Sequence, residues 1–529
     1  MCGFLTGIVD QKEERELRAS LEKIFYRGPD DTKAIFDGGA FIGFQRLAIM
    51  DPTSKGDQPF QSEHFTLVCN GEIYNHQVIR SDFEDTYSFL SKSDCEVILP
   101  LIETLGIEKT AKVLDGEFAF VIYDRKKEIF LAARDHMGIR PMFYGKHKDS
   151  DQLLFASEVK ALLSHCKEIS PFPPGHYYDG QEFHRFIDLT TVSKSDYIED
   201  EQKALQGIKE KLSQGVLKRL EADAPIGFLL SGGLDSSLVC AIAAKESKKP
   251  IKTFAVGIEE GPIDTKYAKI VADYLGADHT EVLFKKEDIF RTLDDLIYRL
   301  ETYDITTIRA SMGMNLVCEF IKKETDIKVL FTGEVSDELF GYKYTDFAPS
   351  PEEFQKEAKK RIDELYIYDV LRADRCISSN SLEARVPFSD KDFVDFVMKI
   401  DPKLKMNSTG VGKHLLRKAF EQGDYLPHDI LYREKAAFSD AQGHAVVDYL
   451  KAHAEALYSE QDLLKAKEKY PHACPKTKEA LMYREIFERH FEGKSDLIKD
   501  FWLPNKEWEN CDVEDPSARV LPNYGKSGE

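Results

Sequence analysis

Short apolar runs separated by turn residues dominate the first part of the chain. They fall at 3–9, 40–50, 65–71, 118–124, 129–134 and 153–158. Runs of this length and spacing are typical of packed, mainly antiparallel strands, and helical periodicity appears in only a few places. The pattern predicts an α+β first domain of sandwiched antiparallel sheets over residues 1–190.

A polar and acidic stretch, residues 191–203, is predicted to be a linker, and the pattern of apolar runs changes after it. Apolar runs such as PIGFLL, KTFAVGI and KVLFTG then alternate with segments of helical character. This alternation predicts parallel βαβ units, and therefore an α/β domain over residues 204–505 that binds its ligands at the carboxyl ends of the strands. Residues 506–529 are predicted to be a polar tail.

Composition and charge narrow the class of protein. Hydrophobic residues make up 42% and charged residues 31% of the 529, as in ordinary globular proteins, and no apolar run reaches the roughly 20 residues that span a bilayer. Acidic residues follow the first apolar run without the basic flank of a signal or transit peptide, so we expect a cytoplasmic protein with no membrane partner. A net charge of −21 argues against a nucleic-acid partner, because it would repel the phosphate backbone.

The nine cysteines are scattered without a CxxC pair, a pattern that indicates neither a disulfide framework nor a zinc site. Cys2 stands apart by its position, because removal of Met1 would leave a thiol and a free α-amine on one carbon. An α-amino group has a pKa near 8, so it can take the proton of the thiol and make Cys2 a nucleophile. Position alone favours the simpler reading, a small second residue that permits removal of methionine.

Other residues of the first domain suit an amidase site. Asn70 and Gly71 end a predicted strand, where a side-chain amide and a backbone N–H can form an oxyanion hole. Arg46 and Asp94 supply the opposite charges that an amino-acid head group needs for its carboxylate and its ammonium. Each has a simpler explanation, since Arg46 could be a surface cation and Asp94 could cap the helix predicted near Glu96.

These residues lie in motifs that resemble the glutaminase domain of glutamine-dependent asparagine synthetases. The motifs are CGF at the start, RGPDD, RLAIMD, NGEIYNH, SDCEVIL, LDGEFAF and RDHMGIRP, in the order of the family. The resemblance implies an N-terminal nucleophile fold with Cys2 as nucleophile and with Asn70 and Gly71 stabilising the oxyanion. The glutamine-binding residues that it implies are Arg46, Leu47, Ala48, Ile49, Met50, Asn70, Gly71, Glu72 and Asp94.

Two loops that combine glycine with acidic residues follow apolar runs in the second half. Residues 231–237 read SGGLDSS between a predicted strand and a predicted helix, where converging N–H groups and the helix dipole favour phosphate. Asp235 would repel bare phosphate, so a magnesium ion is implied. The second loop, residues 332–341, follows another predicted strand and is expected on the same rim of the sheet. A structural glycine turn and a solvated helix start are the simpler explanations. SGGLDSS after an apolar run is more specific than a glycine turn alone, and a helix start explains some of the charge of the second loop but not its glycines.

The second half also resembles the synthetase domain of the same family, through LLSGGLDSS, TFAVG, ETYDITTIRAS, TGEVSDELFG, LEARVPFSD and MYREIFE. The resemblance implies an ATP-pyrophosphatase-type domain in which Asp235 and Asp337 bind Mg²⁺, Glu334 orients or deprotonates ammonia, and Lys435 neutralises phosphate charge. The implied ATP-binding residues are Leu230, Ser231, Gly232, Gly233, Leu234, Asp235, Ser236, Ser237, Val256, Thr332 and Gly333. Val335 stands where the family usually has glycine, and because a β-branched residue resists positive φ, we expect a loop that is held differently.

The resemblance therefore predicts an enzyme that takes glutamine, aspartate and ATP, with a homodimer expected by analogy only. Two other readings stay open. One is a glutamine-dependent amidotransferase that acts on another carboxylate. The other, from a different class, is a protein that binds glutamine or nucleotide without turnover.

Overall fold

The computed structural model describes residues 1–259, 264–434, 445–515 and 517–523. Its first part contains two six-stranded antiparallel sheets, with strand orders β10-β8-β9-β1-β3-β2 and β12-β11-β7-β6-β5-β4. The strands are β1 Gly3–Ile8, β2 Asp31–Asp37, β3 Ala40–Arg46, β4 Phe60–Gln61, β5 Phe65–Ile73, β6 Gly116–Asp124, β7 Ile129–Arg134, β8 Phe143–His147, β9 Leu153–Ala156, β10 Cys166–Pro171, β11 His176–Tyr178 and β12 Phe183–Arg185. The helices of this part are α1 Glu14–Glu22, α2 His76–Phe83 and α3 Ile98–Val113.

The two antiparallel sheets pack face to face. Phe4 and Phe44 from one sheet and Val68 and Val121 from the other share one buried apolar cluster. β1 and β5 are in contact across this layer, which brings the start of the chain next to the strand that carries Asn70. The predicted sandwich of antiparallel sheets is confirmed.

The second part is built around a five-stranded parallel sheet of order β15-β14-β13-β16-β17. Its strands are β13 Ile226–Leu229, β14 Lys252–Ile258, β15 Asp278–Phe284, β16 Val329–Phe331 and β17 Glu383–Arg385. The described helices are α4 Glu201–Lys218, α5 Leu234–Glu246, α6 Asp264–Leu275, α7 Lys286–Leu300, α8 Ile305–Glu324, α9 Ser336–Phe340, α10 Pro351–Glu364, α11 Asp369–Ser378, α12 Lys391–Met398, α13 Pro402–Lys405, α14 His414–Ala419, α15 His428–Leu431, α16 Ala445–Leu457, α17 Glu460–Lys469 and α18 Lys478–His490. The α/β prediction for this half is confirmed, and no helix in the described ranges is long and apolar enough to cross a membrane.

Buried ion pairs join the two parts. Arg27 of the first part places Nη1 2.7 Å from Glu158 and 2.9 Å from Asp374, which lies on α11 of the second part. Arg219, at the end of α4, pairs with Glu117 of β6 at 2.8 Å. Removing one partner of such a buried pair typically costs about 3–5 kcal/mol, because the other charge is left uncompensated. These contacts fix the orientation of the two sites described below.

The described residues after 505 pack against the second part. Trp508, Cys511 and Leu521 are buried in one cluster with Tyr344 and Phe354. Burial of these side chains from water supplies the driving force that keeps an otherwise polar segment in place. This cluster lies beside a cleft at the carboxyl ends of the parallel strands. Tyr344 and Phe354 also line that cleft.

Candidate active sites

Cys2 directly precedes β1 and packs against the apolar layer between the antiparallel sheets. The backbone N–H of Leu47 donates to its Sγ at 3.4 Å, and Arg27 Nε donates to its carbonyl oxygen at 2.9 Å. Burial raises the pKa of the Cys2 thiol to about 11. The thiol therefore needs a nearby base to become a nucleophile at neutral pH.

Met1 occupies the junction between the two parts. Its α-amino group donates to Leu382 O at 3.1 Å, and its Sδ lies 2.8 Å from Arg140 Nη1. Burial lowers the pKa of this amino group to about 5. While Met1 is present, the terminal amine is thus engaged with the second part of the chain.

Asn70 and Gly71 lie on β5 opposite Ala119 and Phe118 of β6. Asn70 is 1% exposed, and among the described residues none accepts a hydrogen bond from its Nδ2. A Cβ at position 71 would come within 2.5 Å of Glu117 O, so only glycine fits there. A buried amide donor that has no acceptor is suited to an oxyanion that forms during a reaction.

Arg46 holds the loop that follows β3. Its Nη1 donates to Thr53 O at 2.9 Å and to Asp57 Oδ1 at 2.6 Å, and its Nη2 donates to Met50 O at 3.1 Å. The predicted glutamine-binding residues of this loop are Leu47, Ala48, Ile49 and Met50, of which the first three are buried. In this structure the guanidinium therefore shapes the loop next to Cys2.

Two buried carboxylates lie at the end of β5. Asp94 Oδ2 accepts a hydrogen bond from Ile73 N at 2.7 Å. The N-cap position of the short 3-10 helix that starts at Asp94 is taken by Ser93. Glu72 Oε2 lies 3.0 Å from Nη2 of Arg385, a residue of β17. Burial raises the pKa of both carboxyl groups. Asp94 binds the strand instead of capping the helix, and the second part of the chain supplies the partner of Glu72.

The two glycine-containing acidic loops follow adjacent parallel strands. β13 pairs with β16, with Phe228 opposite Phe331, so both loops leave the sheet at the same rim. Gly232 has φ +68°, and a Cβ there would lie 2.5 Å from Ala268 N. A Cβ at Gly333 would lie 2.8 Å from Ser236 N. Gly232 is therefore required where the first loop meets α6, and Gly333 is required where the two loops pack against each other.

A cleft opens above these loops. Of the predicted ATP-binding residues, those that line it are Leu230, Ser231, Gly233, Leu234, Asp235, Ser236, Val256, Thr332 and Gly333. Glu334 and Asp337 line it as well. Gly232 and Ser237 are not among the described lining residues, and Ser237 is fully buried. Lys435 lies outside the described residues.

Asp235 and Asp337 converge on one point, and Lys413 occupies it. Lys413 Nζ lies 2.8 Å from Asp235 Oδ1 and 2.9 Å from Asp235 Oδ2. It lies 2.6 Å from Asp337 Oδ1 and 3.0 Å from Ser336 Oγ. The described residues hold no group of three or more His, Cys, Asp or Glu that could bind a metal. Two carboxylates that share one cation position nevertheless offer the oxygen ligands that a hard divalent ion prefers.

Glu334 is held by a residue that sequence patterns did not single out. Its Oε2 accepts from Arg372 Nη2 at 2.7 Å, and the same guanidinium binds Asp369 at 2.9 Å. Burial raises the pKa of Glu334 despite the arginine. The pKa of Glu338, on the same cleft wall, is raised well above its ordinary value by burial and by neighbouring carboxylates. Such perturbed acids in a cleft mark a candidate functional site.

Val335 adopts φ +80° and is 2% exposed. The chain accepts positive φ here although the residue is β-branched, contrary to the expectation that valine would avoid it. A residue held in this region costs on the order of 1–3 kcal/mol and persists only where the surroundings fix it. The strain lies between Glu334 and α9, which carries Asp337.

Comparison with known proteins agrees with this arrangement. A glutamine amidotransferase domain model matches residues 1–206, and an asparagine synthase model matches residues 207–360 and 345–515. The glutamine-hydrolysing asparagine synthetases of Cricetulus griseus and Homo sapiens are each 40% identical to this chain, over 99% of both partners. The one from Triphysaria versicolor is 42% identical over 94% of this chain and 87% of its own. With both domain models matched and this identity along nearly its whole length, the chain belongs to the family of glutamine-hydrolysing asparagine synthetases.

Proposed function

We propose that the chain hydrolyses glutamine at Cys2 and uses the ammonia to amidate the β-carboxylate of aspartate, through a β-aspartyl-AMP intermediate formed from ATP. The observation that carries the proposal is that one chain holds two sites. The first has a thiol that packs against the apolar layer next to β5, the strand with a buried and unpartnered amide donor, and the second is a cleft of paired carboxylates after a parallel sheet. An enzyme that made only one of the two half-reactions would need only one of these sites.

The first half-reaction starts with removal of Met1, which transfers the free α-amine to Cys2. That amine takes the thiol proton, and the thiolate attacks the amide carbon of glutamine. The oxyanion forms at the Nδ2 of Asn70 and the N–H of Gly71. Collapse of the tetrahedral adduct breaks the C–N bond, the proton leaves with ammonia, and water then hydrolyses the glutamyl thioester. Arg46, Glu72 and Asp94 are proposed to bind the head group of glutamine, with Leu47–Met50 beside it.

The second half-reaction takes place in the cleft. A β-carboxylate oxygen of aspartate attacks the α-phosphorus of ATP, and pyrophosphate leaves toward the N–H groups of residues 231–237. Asp235 and Asp337 would hold Mg²⁺, which supplies positive charge beside the phosphates. Ammonia then attacks the acyl carbon, AMP leaves, and Glu334 orients the ammonia or takes its proton. Lys435 is proposed to neutralise phosphate charge.

Helix α11 lies between the two sites. Asp374 on this helix binds Arg27, which in turn holds the carbonyl of Cys2. Arg372 on the same helix binds Glu334. Residues two positions apart point to opposite sides of a helix, so we propose that ammonia passes beside α11 from one site to the other.

Other features of the proposal follow from composition and from the family. The net charge of −21 favours small-molecule substrates over nucleic acid. A cytoplasmic location and a homodimer are part of the proposal. The experiment that tests the function supplies ATP, Mg²⁺ and aspartate with either glutamine or ammonia. Asparagine, AMP and pyrophosphate are expected in equal amounts, whereas formation of ADP, or AMP formation that does not need aspartate, would overturn the proposal.

A further inference from the structure

Lys413 brings a positive charge to the position that a divalent cation is proposed to take. Its Nζ is within 3.0 Å of four oxygen atoms, two from Asp235 and one each from Asp337 and Ser336. The side chain is 4% exposed. An ammonium and a metal ion cannot share this position, because both would lie at contact distance from the same carboxylate oxygens.

The backbone around Lys413 is unusual. Lys413 has φ +57°, in the left-handed region that costs an L residue roughly 1–2 kcal/mol. It directly precedes α14 and follows Gly410, with φ +78°, and Gly412. A Cβ at either glycine would meet no heavy atom of the described residues within 4 Å. The lysine side chain is therefore held by its ion pairs, on a left-handed residue that follows two glycines with open space at their Cβ positions.

Charge balance explains what the lysine does. Two carboxylates at one site repel each other unless a cation lies between them, and in this structure Lys413 Nζ lies between Asp235 and Asp337. A metal that arrived alone would have to displace the ammonium from Asp235 and Asp337 and would bring no new anion for it. A metal that arrives with a nucleotide brings phosphate oxygens, which can accept hydrogen bonds from the displaced ammonium and balance its charge.

We propose that Lys413 is an internal counter-ion of the nucleotide site, which holds Asp235 and Asp337 until the metal–nucleotide complex arrives and then moves onto its phosphates. The proposal rests on the proposed ATP site. Lys413 is thus a positioning residue before the nucleotide binds and a phosphate ligand afterwards. The divalent cation is admitted together with the nucleotide and is excluded without it.

The test measures Mn²⁺ binding by electron paramagnetic resonance without nucleotide, in wild type, Lys413→Met and Lys413→Gln. The matched control is Lys418→Met, which removes an exposed lysine at the other end of α14. Both Lys413 variants should gain one Mn²⁺ site at least tenfold tighter than any that wild type or the control shows. That site should vanish when Asp337→Asn is added. Retained hydrolysis of glutamine confirms that each variant is folded.

The second readout is the affinity for ATP in the presence of Mg²⁺, which should fall at least tenfold in Lys413→Met and stay within twofold in the control. The proposal is overturned if the folded Lys413 variants bind Mn²⁺ no more tightly than wild type, or if the added site survives Asp337→Asn. It is also overturned if ATP affinity is unchanged. Formation of AMP by wild type decides the proposed function separately, so either idea can fail while the other stands.

Discussion

Arg385 of the parallel sheet forms an ion pair with Glu72 of the antiparallel sheet, with 3.0 Å between Nη2 and Oε2. Its Nε also donates to Glu383 at 3.0 Å, and its Nη1 donates to the carbonyl oxygen of Glu221 at 2.6 Å. The synthetase half thus contributes a wall to the proposed glutamine site. The first site therefore depends on the second half of the chain for its shape.

Glu72→Gln tests whether this carboxylate recognises glutamine. The change keeps the shape of the side chain but removes the charge that pairs with Arg385 and that we propose binds the ammonium of the substrate. Because hydrogen bonds to charged groups are worth about 1.5–3 kcal/mol, KM for glutamine should rise about 10- to 100-fold. Ammonia-dependent synthesis should stay within twofold, as should both activities of the exposed-site control Glu63→Gln. An equal loss of both activities in Glu72→Gln would indicate a structural role.

Glu334→Gln tests the second site. Asparagine formation should fall about 100-fold or more with either nitrogen donor, in line with the loss of an acid–base group. Hydrolysis of glutamine should persist, since Glu334 belongs to the other half. A parallel fall in the hydrolysis of glutamine would contradict this assignment, because the substitution would then also affect the first site.

The pH dependence of the second site follows from the burial of Glu334. Because burial raises the pKa of this carboxyl group, it takes up a proton at a higher pH than an ordinary glutamate. The ammonia-dependent rate, expressed per unprotonated ammonia, should therefore fall as pH decreases through a pKa above 4.5. Arg372→Gln should move this acid limb to still higher pH, because the arginine favours the ionised form. An acid limb that did not move would show that Arg372 does not influence the group that titrates.

The strain at Val335 is testable by comparison. Val335→Gly loses a buried side chain but relieves positive φ, whereas Val329→Gly, in β16, loses a buried side chain without relief. The first change should cost about 1–2 kcal/mol less free energy of unfolding than the second, as measured by urea denaturation. Equal costs would show that the backbone at Val335 is not strained.

Lys405 links stability to pH. It is 2% exposed, and burial lowers its pKa from 10.5 to about 7. Between pH 7 and pH 10.5 the unfolded chain binds one proton more at this lysine than the folded chain does. The free energy of unfolding should therefore rise as pH increases from 7 and fall again as pH is lowered. The gain between pH 7 and 9 should be about 2 kcal/mol. Lys405→Met should remove this slope, and the exposed-site control Lys403→Met should keep it.

The fold was accessible from the sequence because its signals are local. Alternating short apolar runs predicted the antiparallel sheets, and strands alternating with helices predicted the parallel one. The loop from Ser231 to Ser237 carries its own glycines and acid, so its place at the carboxyl end of a strand also followed. The roles proposed for individual site residues remain predictions.

The partners of these residues were not accessible, because they are distant in sequence and belong to no local motif. Arg372 lies 38 positions from Glu334, and Lys413 lies 178 positions from Asp235. An isolated arginine or lysine gives no signal until the fold brings it to a carboxylate. The left-handed conformation of Val335 was likewise hidden, since its surroundings outweigh the intrinsic preference of valine.

Cys2→Ala gives the most direct test of the central claim that two sites on one chain divide the reaction. The measurement is asparagine formation with glutamine and, separately, with ammonia, in a protein whose Met1 has been removed. Glutamine-dependent synthesis should be lost while ammonia-dependent synthesis, with its AMP and pyrophosphate, stays within about twofold of wild type. Loss of both activities together, in a folded protein, would contradict the account, because Cys2 would then support the structure and not the release of ammonia.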